Sequence, residues 1–157
     1  MTPQPELQRL ATLIDNEAAL LRAFLALLER EETLLIAGEA DALLALTQEK
    51  SQRHQQLQRV HNDRALLLGR LQRPNDEASI RELCRPLPDT LACWDEIREL
   101  ARNAQHRNES NGKLIVERMQ HNQSALTVLL TAAGQPPLYN AAGMTRPRSS
   151  GRHLGSA

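Results

Sequence analysis

Aromatic side chains are almost missing from this 157-residue chain: one Trp, one Tyr and one Phe make up 2% of it, against 41% hydrophobic residues overall. A core without rings must be built from leucine and alanine, the mixture of helix bundles and not of β-sandwiches. Cysteine is scarce too, with Cys84 and Cys93 alone and no further Cys or His at metal-ligand spacing. Neither a disulfide framework nor a zinc site is expected, and the pair reads as small, reduced apolar filler. Net charge is zero, 19 Lys and Arg against 19 Asp and Glu, so the folded body offers no strong field to nucleic acid or an anionic membrane. Long hydrophobic runs are also lacking, because Arg22, Glu29, Arg30 and Glu31 interrupt the richest leucine stretch. The start, MTPQPELQRL, has no cationic segment leading into an apolar one, so the expectation is a cytosolic protein with neither secretory leader nor membrane span.

Catalytic patterns are lacking as well. His54, His61, His106, His121 and His153 form no HExxH pair, and there is no GxSxG elbow and no glycine-rich phosphate loop. No enzyme, cofactor or metal is expected.

What the chain does have is helical periodicity. Leu7, Ile14, Leu21, Leu28 and Leu35 recur every seven residues, with Leu13, Leu20, Leu27 and Leu34 one step earlier and Leu10 and Phe24 beside them. A stripe about 100° wide touches two neighbouring helices, which predicts a three-helix arrangement. Gly38 offers a C-terminal cap and Asp41 an N-cap for a second helix, apolar at both ends and polar in the middle, stopped by Pro74. A short helix follows, ended by Pro86 and Pro88, and Asp89 is expected to cap the last. That last helix keeps one phase through Leu91, Trp94, Ile97, Ala104, Asn108, Asn111, Ile115, Met119, Asn122, Leu126 and Leu129, up to Gly134 and the prolines at 136 and 137. Asn111-Gly112 is the one place where a break would be plausible, but the phase continues through it.

The predicted fold is therefore all-α: an antiparallel three-long-helix coiled-coil bundle over residues 1–134, with helices at about 5–36, 41–72, 76–85 and 89–133, and a flexible, irregular tail over 135–157. At about 1.5 Å per residue, residue 56 falls opposite about residue 105, so the polar middles QRHQQ and NAQHRNESN coincide in a polar layer where seam asparagines fix register. The same count carries residues 121–133 beyond the other helices, leaving Leu126, Val128, Leu129 and Leu130 without an internal partner, which suggests an interaction site. The tail, with Arg146, Arg148, Arg152 and His153 among Gly, Ser and Pro, has three readings: a solubilising terminus, a nucleic-acid contact, or a segment that orders on a partner. Three cations are too few for tight binding to phosphates, and Leu138, Tyr139, Met144 and Leu154 favour a protein partner.

The leucine-rich first helix, the turn IAGEADAL, the segments NESNGKLI and HNQSALTVL and the tail LYNAAGM together resemble the flagellar export chaperones of the FlgN type. The resemblance implies a cytosolic, non-enzymatic chaperone of bacterial flagellar type III secretion. Such a protein binds hook-associated junction proteins through its C-terminal portion and delivers them to the export apparatus at the cytoplasmic face. On that reading Ile115, Met119, Leu126, Leu129, Leu130, Leu138, Met144 and Leu154 are the client-binding candidates, and Tyr139 is the residue that docks at the export gate. No nucleic acid and no membrane insertion are expected, and the chain would be a monomer or weak homodimer. The alternative from the residues alone is a coiled-coil scaffold that dimerises through the same leucines.

Overall fold

The computed structural model describes residues 3–134, which form four helices and no strand: α1 (Gln4–Ala37), α2 (Ala40–Arg70), α3 (Glu77–Cys84) and α4 (Pro88–Ala132). The all-α expectation holds, with bounds within two residues of those read from the sequence. The tail expected over 135–157 lies outside the described residues. By its contacts the chain divides into two units, Met1–Asn111 and Gly112–Ala157, and α4 contributes to both.

Local signals explain where the helices end. Gly38 takes a left-handed conformation (φ 72°), with Glu39 N–H donating to Leu34 O at 3.1 Å and Gly38 N–H to Leu35 O at 3.3 Å, so the last carbonyls of α1 are satisfied. The same pair of bonds closes α2, but there the left-handed residue is Gln72 (φ 56°), which a β-carbon disfavours. Asp76 caps α3 by accepting from Ser79 N–H at 2.8 Å, and this bond holds its carboxyl below the usual range. Two expected caps are corrected. Asp41 lies inside the first turn of α2, which starts at Ala40 after Glu39. Asp89 lies inside α4, because Pro88 is its first residue, a position whose missing N–H costs nothing. Through Asn111-Gly112 the helix is unbroken.

Within the first unit, ion pairs give the directions of the helices. Glu17 pairs with Arg64, and Glu31 with Lys50 at 3.2 Å, so α1 and α2 are antiparallel. Arg22 pairs with Glu96 at 2.6 Å and Arg107 with Glu32 at 2.8 Å, so the first half of α4 runs parallel to α1. Lys50 Nζ donates to Asn108 Oδ1 at 2.8 Å, within a turn of the alignment counted from the sequence. The main core lies at one end: Leu7, Leu10, Ile14, Ala18 and Leu21 of α1 meet Leu67 and Leu68 of α2, Ile80, Leu83 and Cys84 of α3, and Trp94 and Ile97 of α4. Burial pushes the Cys84 thiol up to about 11, so it stays protonated and behaves as the expected apolar filler.

Candidate functional site

On α4 the buried residues are Thr90, Trp94, Ile97, Ala104 and Asn111, and past Asn111 no described residue of the helix is buried. Yet the hydrophobic phase does not stop there. Ile115, Met119, Leu126 and Leu129 continue the three-and-four spacing of Trp94, Ile97, Ala104 and Asn111, but they stand 39%, 56%, 40% and 67% exposed. One helical face is thus core in its first half and open in its second. Leu130 is half-buried. Leu138, Tyr139, Met144 and Leu154 lie outside the described residues, so the structure brings together five of the nine candidates.

Val116, missed from the sequence, is 52% exposed beside the leucine stripe, and its signal was a β-branched residue on a helix surface, where straight-chain residues are favoured. Val128, read from the sequence together with Leu126, Leu129 and Leu130, is 68% exposed but at about 100° per residue projects from the other side of the helix. The polar chemistry nearby is quiet. Thr127 and Thr131 donate their hydroxyls to Gln123 O at 2.9 Å and Thr127 O at 2.8 Å, within the helix itself. From Met119 to Thr145 the sequence has no Asp, Glu, Lys or Arg. Beyond Arg118 this surface of flexible Met and branched aliphatic side chains carries no charge, which suits contact with another apolar helix, not recognition of a charged ligand.

The other candidate locations carry no chemistry. An open groove in the first unit is lined by Leu25, Glu29, Glu32, Asn103, His106, Arg107 and Ser110, but its cation Arg107 is held by Glu32 at 2.8 Å and Glu29 at 3.8 Å. Among the described residues no group of His, Cys, Asp and Glu is placed to hold a metal ion, and no helix is long and apolar enough to cross a membrane.

Seam asparagines were expected between the polar middles. Asn111 is 1% exposed, with Nδ2 donating to Leu28 O and to Glu31 Oε1 at 2.9 Å each, whereas Asn108 is exposed and reached only by Lys50. The sequence reading did not single out the buried charges that complete this layer, Glu31 and Lys50, or the second pair, Glu17 and Arg64.

Comparison with known proteins places the chain among relatives of one family. A family model described as FlgN protein matches residues 1–147. The chain is 28% identical over 151 residues to the flagella synthesis protein FlgN of Yersinia enterocolitica serotype O:8 / biotype 1B (strain NCTC 13174 / 8081), covering 94% of this chain and 97% of the relative. It is 27% identical, with the same coverage, to a second flagella synthesis protein FlgN from Yersinia enterocolitica. No solved structure matches. With the family match spanning all the described helices, this chain belongs to the FlgN family.

Proposed function

We propose that the protein serves flagellum synthesis as a cytoplasmic, non-enzymatic export chaperone, holding hook-associated junction proteins on the open face of α4 and passing them to the export apparatus. The observation that carries this reading is the exposed run of Ile115, Met119, Leu126 and Leu129 at the end of a helix whose same face is core further back. An axial protein's terminal helix, unpaired before assembly, needs a temporary apolar partner, and a helical face of this kind supplies one. The exposed surface of these four residues is roughly 400 Å², worth about 10 kcal/mol gross at 25 cal/mol/Å². Association and ordering costs are subtracted from that, which leaves a releasable complex of micromolar strength or weaker. Leu138, Met144 and Leu154 extend the client contact, and Tyr139 docks at the gate.

The test is retention of C-terminal helices from candidate flagellar axial proteins by the full chain. Leu126→Ser with Leu129→Ser should weaken binding at least about tenfold while circular dichroism stays helical. Retention at wild-type strength would refute the α4 site. Replacing Tyr139 with Ala should leave binding intact and impair secretion; unchanged secretion would remove the docking role. If the face served homodimerisation instead, light scattering at micromolar concentration would report a dimer that the serine substitutions dissociate.

A further inference from the structure

The core of the first unit contains two buried ion pairs with a shared geometry. Glu17 of α1 meets Arg64 of α2, and Glu31 of α1 meets Lys50 of α2, with all but Lys50 buried and Lys50 half-buried. On each helix the two charges are fourteen residues, or two heptads, apart, so both pairs fall on a single antiparallel alignment. Each pair is also touched by α4. The Arg64 guanidinium lies 4.9 Å from the centre of the Trp94 ring, and Glu31 Oε1 accepts from Asn111 Nδ2 at 2.9 Å. Arg64 is further held by Asn75 Oδ1 at 3.3 Å and His61 Nδ1 at 3.2 Å.

The charges are sorted by helix: both on α1 are acidic and both on α2 are basic. Leucine repeats do not discriminate between partners, since the stripe of α1 could pack against α2 or against α1 of another copy equally well. The sorted charges do discriminate. A parallel α1 to α1 pairing in register sets Glu17 against Glu17 and Glu31 against Glu31. An antiparallel one sets Glu17 against Glu31. The same holds for α2, where every such pairing opposes Lys50 or Arg64 to a like charge. A one-heptad slip of α1 against α2 fares no better, because it places Glu17 opposite Leu57 or Leu71 and Glu31 opposite Leu43 or Leu57. Burying an unpaired charge, or two like charges, costs far more than the leucine contacts of one alignment return.

We propose that Glu17–Arg64 and Glu31–Lys50 form a two-point charge key that makes α1 select the α2 of its own chain, and so keeps this leucine-rich protein from associating with copies of itself through its core helices. The key acts through specificity and not through stability. It is independent of the client site on α4, since neither pair includes a residue of that face.

The test compares two four-fold variants of the full chain by light scattering, circular dichroism and two-dimensional amide NMR. In the first, Glu17, Arg64, Glu31 and Lys50 are all replaced by Leu. It should stay helical with an unchanged or higher melting temperature, yet run at twice the monomer mass or more and lose the single set of sharp amide signals given by the wild type. In the second, E17R, R64E, E31K and K50E exchange the charges, which restores the key with opposite sign, so it should keep the wild-type mass and one set of signals. A monodisperse leucine variant of wild-type mass with one set of signals would overturn the proposal, as would loss of its helices, which would make the pairs structural supports. Self-association of the charge-exchanged variant would overturn it equally.

Discussion

Removing the guanidinium of Arg64 tests how the first unit is held together. Arg64 and Glu17 are 5% and 8% exposed, and Arg64 also lies over Trp94, the chain's only tryptophan. Arg64→Met keeps most of the apolar stem and deletes the charge, so Glu17 is left as a buried carboxylate without its partner. The expected cost is about 3–5 kcal/mol, most of it the desolvation of that stranded carboxylate and the remainder the lost contact with the ring. For a chain of this size the melting temperature should fall by about 10–15 °C. Glu17→Met combined with Arg64→Met removes both charges and should return to within about 1 kcal/mol of the wild type. Urea titrations followed by circular dichroism and by Trp94 fluorescence measure all three proteins. If the single variant came within about 1 kcal/mol of the wild type, or the double variant were as unstable as the single, the ion pair would not be the closed unit argued here.

Three further predictions concern the backbone. A β-carbon at Gly112 would meet nothing within 4 Å, so Gly112→Ala should stabilise α4 by about 1 kcal/mol and raise the melting temperature by about 2–4 °C; destabilisation would mean the position needs a non-helical conformation. Gln72→Gly should stabilise the end of α2 by about 0.5–1 kcal/mol, because Gln72 sits at φ 56°, and a neutral or negative effect in a denaturant titration would count against strain there. Asp76 has its pKa lowered by the Ser79 amide, so its stabilising effect is present above the ordinary carboxylate range and is lost as pH falls through the folded value. Asp76→Asn should therefore flatten that part of the acid limb of a stability-against-pH curve, and an unchanged acid limb would show that the cap is not linked to protonation.

The sequence was most informative where a signal is local. The end of α1 could be read from Gly38 because only the left-handed region closes that turn without strain, and the observed φ of 72° is the same physics. The end of α2 was placed from Pro74, two residues beyond the left-handed Gln72, which no propensity rule would choose. Asp41 and Asp89 failed as caps because a capping residue competes with its neighbours, and Pro88 at the first position of α4 set the start one residue earlier. The polar seam was legible as two uncharged or mixed stretches at the same level, but the residues within it were not. Glu17, Glu31 and Arg64 look like solvated helix charges until a facing helix buries them, since nothing in a single helix distinguishes a charge turned to solvent from one turned to a partner.

The chain's own letters determined that it would be helical, where its helices would stop, and that one long leucine face would run through α4, because periodicity, caps and prolines act over a few residues. Tertiary structure alone decided which part of that face would be core and which would stay open, with Asn111 the last buried residue and Ile115 the first exposed member of the same stripe. It also decided which four charges would be enclosed in pairs. Burial depends on what lies across the interface, and that neighbour is brought there by residues far away in the sequence.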